Sequence, residues 1–213
     1  MPNATVDLFW SFRSPYSYIS TPSALEVQHC YRVSLVFRPV LPLALRDPDF
    51  FTPANAKRLK YLQLDWARRA EMLGLPHVWP SPDPLVHDAE TMRIAGEQPY
   101  LHRLTRLGVE AQRRGRGLEF AAEVSRLLFG GTRGWDQGDH LAQATARAGL
   151  DLADMERALD DSHEQAIEAN HQALEASGHW GVPTFVFDGE PFFGQDRIDT
   201  LCWRLDQRGL RQA

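Results

Sequence analysis

The sequence predicts an α/β protein in which a β-α-β half and a β-β-α half bracket a helical block. Three observations support this prediction: strand patterns occur only near the two ends of the chain, a helix signal directly follows the first strand, and the long middle shows helical spacing closed by glycines. With 213 residues, 43% of them hydrophobic, the chain is long enough to bury a full core.

The first half is predicted to be β-α-β. The runs "VDLFW" (6–10) and "VSLVFRPV" (33–40) are short and rich in β-branched and aromatic residues, which is typical of strands. Pro15 suits the first turn of a helix and Ser14 its N-cap, and we expect this helix to run to about Cys30. Such a connection favours a parallel pair of strands.

From residue 51 to residue 178 the strand patterns disappear. Apolar residues recur at helical spacing in "KRLKYLQLDWARRAEMLG", and "LEFAAEVSRLLFGG" and "GDHLAQATARAGL" are each closed by glycine. "DLADMERALDDSHEQAIEANHQALEASG" is interpreted as one long helix, with acidic residues at its start and Gly178 after its end. The interval 51–178 is therefore predicted to be all-helical and inserted.

Strand signals return in "TFVFDGEPFFG". Residues 185–187 and 191–193 flank Asp188-Gly189, a dipeptide typical of hairpin turns. The segment "QDRIDTLCWRLDQRG" predicts a last helix with one apolar face. That completes a β-β-α half.

Composition argues against several classes of function. Charged residues make up 24% of the chain and the net charge of −5 is spread along it, so neither nucleic acid nor a membrane is an expected partner. The run "RRGRG" (113–117) is interpreted as a solvated helix end.

The histidines show no metal-ligand spacing, so no metal site is expected. With no visible export signal and isolated cysteines, we expect a cytoplasmic protein with reduced thiols.

The stretch "SPYS" (14–17) is the first candidate for chemistry. A strand followed at once by a helix N-terminus directs free N–H groups and the positive end of the helix dipole at whatever lies there, which favours an anion such as a thiolate. Ser14 has two interpretations, an ordinary N-cap or a hydrogen-bond donor to a sulfur that a ligand supplies. The second candidate is "GVPTFVFDG" (181–189), because Pro183 cannot donate to a sheet ladder and belongs at the beginning of a strand.

Together these segments resemble the DsbA-like thioredoxin-fold family. Within it they are most similar to the branch of 2-hydroxychromene-2-carboxylate isomerases and kappa-class glutathione transferases. The matching stretches are "DLFWSFRSPYSYIS" (7–20), "FRP" (37–39), the spacing Tyr61, Asp65, Arg68 with "GLP" (74–76), and "GVPTFVFDGEPFFGQDRID" (181–199). The resemblance implies a thioredoxin-like domain formed by residues 1–50 and 179–213, an inserted helical domain of residues 51–178, and a homodimer.

The resemblance also implies glutathione as cofactor. Ser14 would hydrogen-bond the glutathione sulfur and hold it as thiolate, the backbone of Val182 before a cis Pro183 would pair with the tripeptide, and "GQDR" would receive the γ-glutamyl end. The cofactor-binding residues implied are Val182, Pro183, Gly194, Gln195, Asp196 and Arg197. The substrate candidates are Phe12, Tyr16, Asn55, Lys57 and Tyr61. The loop after the second strand departs from the family pattern, since Lys57 stands four residues before Tyr61 where a lysine three before it is expected.

The activity implied is that of a glutathione-dependent cis-trans isomerase acting on a small aromatic carboxylate. The thiolate would add to a conjugated acid, permit rotation about the former double bond and then leave. Two alternatives stay open: a kappa-like glutathione transferase that keeps the adduct, and a non-catalytic thioredoxin-fold module that binds thiols or peptides. A disulfide oxidoreductase is nearly excluded, because Ser14 and Ser17 stand where its two cysteines would be needed.

Overall fold

The computed structural model describes residues 4–47, 50–51, 55–88, 91 and 93–212. The strands are β1 (Ala4–Trp10), β2 (Val33–Pro39), β3 (Thr184–Phe187) and β4 (Glu190–Phe193). The helices are α1 (Pro15–Cys30), α2 (Leu43–Arg46), α3 (Ala56–Met72), α4 (Pro99–Arg113), α5 (Gly117–Phe129), α6 (His140–Arg147), α7 (Leu152–Ala158), α8 (Asp161–Ala176) and α9 (Ile198–Gln207).

The four strands form one mixed sheet in the order β2-β1-β3-β4. β1 pairs parallel with β2, with Val6 opposite Leu35, and antiparallel with β3, with Leu8 opposite Phe185. β3 and β4 form the predicted hairpin. Its turn residues Asp188 and Gly189 have φ of 50° and 79°, the left-handed conformation that a two-residue hairpin turn needs. The thioredoxin-like fold class is thus confirmed.

The interval 51–178 contains only helices as regular elements in its described residues. Two isolated bridges occur in its loops, Ser81 with Arg133 and His87 with Ile94, and neither extends into a strand. α4 packs on β2 and on α5, and α5 also packs on α1. Helices α4 and α5 therefore pack on the sheet face that carries Leu8 and Phe37, whereas Leu174 of α8 packs with Phe9 on the opposite face.

A single aromatic cluster joins the sheet to the helical block. The Phe12 ring lies 6.3 Å from that of Phe37 on β2 and 5.9 Å from that of Phe120 on α5. Gly108 of α4 lies against them, and a Cβ there would be 2.9 Å from Phe12 Cε2. The close approach of α4 to the sheet thus requires glycine at position 108.

The long helix predicted for residues 151–178 is wrong, because the chain forms α7 and α8 there. Asp160 is extended, with φ −144° and ψ −173°, and its side chain accepts a hydrogen bond from the N–H of Ser162. Its own N–H donates to Nδ1 of His163 at 3.1 Å, which completes a capping box with histidine in the place usually taken by Glu or Gln. These local bonds compete with helix continuation and start a new helix. Helices α2 and α4 were not predicted.

A buried polar cluster joins α4 to α8. His163 is fully buried, and its Nε2 lies 3.0 Å from Glu110 Oε2. Arg114 Nε lies 2.7 Å from the other oxygen of Glu110. Burial by itself would raise the pKa of Glu110, but the hydrogen bonds and charges of Arg114 and His163 outweigh it, so this pKa lies below the usual value.

We expect Glu110→Gln to lower the free energy of unfolding at pH 7 by about 2 kcal/mol, since hydrogen bonds to a buried charged group are lost. A depressed carboxyl pKa stabilises the fold above the unfolded-state pKa, and this contribution disappears as pH falls through the folded-state pKa. The difference between variant and wild type should therefore shrink below about pH 4. Urea unfolding at several pH values measures it. Glu123→Gln, which weakens ion pairs with the exposed Arg126 and Arg147, is the control and should cost at most about 1 kcal/mol. A pH-independent difference for Glu110→Gln would contradict the assignment.

Among the described residues, no helix combines the length and apolarity needed to cross a membrane. The described part of the chain also shows no cluster of three or more histidine, cysteine, aspartate or glutamate side chains placed to hold a metal ion.

Candidate active site

The site begins at the turn between β1 and α1. Ser14 is the N-cap of α1, with Pro15 at the first helical position, and its Oγ accepts from the N–H of Ser17 at 3.1 Å. The N-cap interpretation of Ser14 is therefore confirmed. Pro15 has no N–H, and the N–H of Tyr16 has no hydrogen-bond partner within the described residues. One first-turn donor and the helix dipole thus face the site beside the Ser14 hydroxyl.

The loop before β3 lies opposite this helix end. The Val182-Pro183 peptide is cis, as predicted. The Ser14 hydroxyl donates to the Val182 carbonyl oxygen over 3.4 Å, a long bond that a better acceptor would displace. Ser17, at the place of a second redox cysteine, is fully buried, and its hydroxyl has no partner among the described residues. The two cysteines of the chain, Cys30 and Cys202, are free thiols elsewhere.

A cavity of about 700 Å³ opens in front of Ser14. Much of its described wall is apolar. That part is formed by Pro15, Pro42, Leu43, Ala44, Phe50, Phe51, Leu59, Leu62, Trp79, Trp180, Val182 and Phe193. Trp180 and Phe193 are 41% and 40% exposed, so they form an open aromatic rim. The wall suits a flat apolar ligand whose reactive end reaches Ser14.

Tyr16 and Tyr61 both line the cavity and both bind the carboxylate of Asp65. The Tyr16 hydroxyl donates to Oδ2 at 2.8 Å and the Tyr61 hydroxyl to Oδ1 at 3.3 Å. Burial, the hydrogen bond to Asp65 and the charge of Asp65 raise the pKa of Tyr16 well above its usual value. Tyr16 is therefore protonated at neutral pH and serves as a donor.

The "GQDR" segment follows β4 and lies beside this tyrosine pair. Gln195 Oε1 accepts from Arg69 Nε at 2.8 Å, and the charge of Asp196 contributes to the raised pKa of Tyr16. Asp196 pairs with Arg197 at 3.1 Å, with both side chains more than half exposed. Gly194 has φ of 106°, and a Cβ there would lie 2.6 Å from Asp196 Oδ1. The segment thus offers an exposed carboxylate and an exposed guanidinium near Tyr16, but its four residues are not among those that line the cavity.

Three of the five substrate candidates lie away from the cavity wall. Phe12 is 1% exposed in the aromatic cluster with Phe37 and Phe120, and this placement does not fit contact with a substrate. Asn55 is the N-cap residue of α3, and Lys57 is exposed on its first turn. Neither is among the residues that line the cavity.

The cation in this part of the wall is Arg58, which sequence reasoning missed. Arg58 lines the cavity, and its guanidinium carbon lies 5.0 Å from the ring centre of Trp180. It stands three residues before Tyr61, where the family pattern expects a lysine, so a search for a positive charge rather than for lysine would have found it. Asp83 and His87, which the sequence did not single out, also line the cavity.

Known proteins are similar to this chain over nearly its whole length. A profile of the DSBA-like thioredoxin domain matches residues 5–206. A 2-hydroxychromene-2-carboxylate isomerase from Pseudomonas putida is 25% identical in an alignment 211 residues long, gaps included, which covers 92% of this chain and 91% of that protein.

Solved structures share the fold over almost the whole chain. A 2-hydroxychromene-2-carboxylate isomerase superposes with a TM-score of 0.67 at 22% identity, covering 95% of both chains. A probable DsbA oxidoreductase from Streptomyces coelicolor superposes with a TM-score of 0.66 at 19% identity, covering 99% of this chain and 92% of the other. The profile match spans nearly all of the sequence, and the chain therefore belongs to the DsbA-like thioredoxin-domain family.

Proposed function

We propose that this protein is a glutathione-dependent cis-trans isomerase of the 2-hydroxychromene-2-carboxylate type. One observation carries the proposal: the Ser14 hydroxyl, at a helix N-terminus and opposite the Val182-Pro183 loop, faces an apolar cavity without a cysteine beside it. The similarity to the Pseudomonas putida isomerase supports the reaction class. Serines at positions 14 and 17 argue against the disulfide chemistry of the oxidoreductase relatives.

The residues present fit glutathione. The weakly bonded Ser14 hydroxyl and the Tyr16 N–H are donors for a sulfur anion, and the Val182 carbonyl is an acceptor for a peptide N–H. Asp196 and Arg197 carry the charges complementary to the ammonium and carboxylate of a γ-glutamyl group. When bound there, glutathione supplies a thiolate nucleophile that permits rotation about a conjugated double bond.

The chain's own residues have three tasks in this function. Ser14 and the N-terminus of α1 lower the pKa of a thiol bound beside them, and each unit of depression corresponds to about 1.4 kcal/mol. Tyr16, kept protonated by burial and by Asp65, donates its one hydroxyl proton to Asp65, so its oxygen can accept a hydrogen bond from a ligand in the cavity. The aromatic wall excludes water and holds the flat ring of the acid.

We expect reduced glutathione to bind with its thiol ionised at neutral pH, and its S-methyl derivative to bind at least ten-fold more weakly, because the thioether cannot carry the charge that Ser14 and the helix stabilise. Calorimetric titration of both ligands measures this. In parallel, interconversion of 2-hydroxychromene-2-carboxylate with its ring-opened trans isomer should require glutathione. Equal affinity for the two ligands, or isomerisation at the same rate without glutathione, would contradict the proposal.

A further inference from the structure

Arg13 occupies the turn between β1 and Ser14, and its side chain lines the cavity. A bidentate pair with Asp83 holds its guanidinium, with Nε 2.9 Å from Oδ1 and Nη2 2.8 Å from Oδ2. The two side chains are 11% and 15% exposed. A planar pair of this kind, 70 residues apart in sequence, fixes the orientation of the guanidinium.

The pair with Asp83 leaves Arg13 with unused donors. A guanidinium has five N–H groups, and the two bonds to Asp83 use one on Nε and one on Nη2. The described residues offer no hydrogen-bond acceptor to Nη1. The rings of Phe51 and Trp79 lie 5.7 and 5.4 Å from the guanidinium carbon and flank it. Because Arg13 lines the cavity, these N–H groups are available to an acceptor that enters it, and an ionised acceptor makes the stronger, charge-assisted hydrogen bond.

The Asp83 carboxylate accepts hydrogen bonds from several groups. Besides Arg13, its carboxylate accepts from the Trp79 indole N–H at 3.1 Å and from the Leu85 N–H at 2.9 Å. Burial would raise the pKa of Asp83, but the hydrogen bonds and charge of Arg13 outweigh it, so the pKa lies below its usual value. Asp83 therefore stays ionised, and its two hydrogen bonds hold the Arg13 guanidinium in one orientation.

We propose that Arg13 binds the carboxylate of the acceptor substrate and that Asp83 is its positioning residue. An aromatic or α,β-unsaturated acid would place its charged end on the free donors of Arg13 and its ring against Phe51 and Trp79. Since Arg13 directly precedes Ser14, the conjugated carbons of such an acid would lie beside the thiol-binding position. The role of the thiol rests on the proposed function, whereas recognition of the carboxylate does not.

The test measures binding of trans-cinnamate and of its neutral amide, trans-cinnamamide, without glutathione. We expect the wild type to bind the acid at least ten-fold more tightly than the amide. Arg13→Gln should abolish this preference, because it should weaken the binding of cinnamate and leave the binding of cinnamamide unchanged. Because Arg13→Gln leaves Asp83 as a buried unpaired charge, the double variant Arg13→Gln/Asp83→Asn is measured as well, with the same expected loss and with its fold checked by circular dichroism.

The matched control is Arg38→Gln. Arg38 pairs with Asp7 at 2.7 Å but does not line the cavity, so the preference should remain. A preference that survives in both Arg13 variants overturns the inference, and so does a wild type that binds the acid no better than the amide. Neither result contradicts the binding of glutathione as a thiolate at Ser14, because the measurement is made without glutathione. The opposite outcome is also distinguishable. If the protein prefers cinnamate over cinnamamide through Arg13 but does not bind glutathione, the proposed function is wrong and the carboxylate site at Arg13 stands.

Discussion

Ser14→Ala should lower the glutathione-dependent kcat/KM by about 100-fold, the size of effect seen when one donor to a developing or stable anion is removed. Without the hydroxyl, only the Tyr16 N–H and the dipole of α1 remain to hold a sulfur anion. The pKa of the bound glutathione thiol should rise accordingly. Steady-state kinetics and the pH dependence of thiolate absorbance in the complex measure the two quantities. Loss of the N-cap bond should cost only about 1 kcal/mol of stability.

Ser17→Ala is the matched control for this experiment. It removes a hydroxyl from the same helix, one turn away, but that hydroxyl has no partner among the described residues. Activity and thiol pKa should therefore stay near wild type. If Ser14→Ala keeps full turnover with an unchanged thiol pKa, Ser14 is a helix cap only and the proposed chemistry is wrong.

Phe12→Ala should lower the free energy of unfolding by about 3–5 kcal/mol, the usual cost of emptying a buried phenylalanine site. The ring is 1% exposed between Phe37 and Phe120, so its removal leaves a cavity that the rigid cluster cannot fill. Because domains of this kind are stable by only about 5–15 kcal/mol, the loss is large. Urea unfolding measures it.

A second substitution makes this test sharper. Gly108→Ala should destabilise the wild type, because its Cβ would lie 2.9 Å from Phe12 Cε2, but should cost less stability when Phe12 is alanine, since only Phe37 Cε1 at 3.3 Å then remains close. Phe51→Ala, in the cavity wall, is the control and should cost much less stability. A Phe12→Ala protein within about 1 kcal/mol of wild type would show that Phe12 does not pack in the core as described.

Local signals were sufficient for the parts of the fold that depend on neighbours in sequence. The strands, the Ser14 cap and the Asp188-Gly189 turn each follow from a few adjacent residues. The break between α7 and α8 did not follow. The helical pattern continues across it, and it depends on a capping box closed by His163, whose other nitrogen reaches Glu110 on α4.

The candidate site could be predicted on the side of Ser14 and Val182 but less well on the acceptor side. A helix turns by about 100° per residue, so neighbouring positions such as 57 and 58 face different directions. The expectation of a lysine selected Lys57, although the spacing pointed to position 58, where Arg58 lies. Phe12 was misjudged because the chain leaves the strand pattern at Ser11, after which alternation no longer tells which side chain is buried. The Arg13–Asp83 pair joins residues far apart in sequence, for which a single chain carries no signal.

The shared aromatic cluster limits how this protein could have diversified. Phe12, Phe37 and Phe120 bring a strand end, a second strand and an inserted helix into one packing unit. The helical insert is therefore no exchangeable module, since replacing it would remove side chains such as Phe120 against which the end of β1 and β2 pack. New acceptor specificities are more accessible through point changes in the loop and helix that carry Phe51 and Arg58, which border the cavity and leave that unit intact.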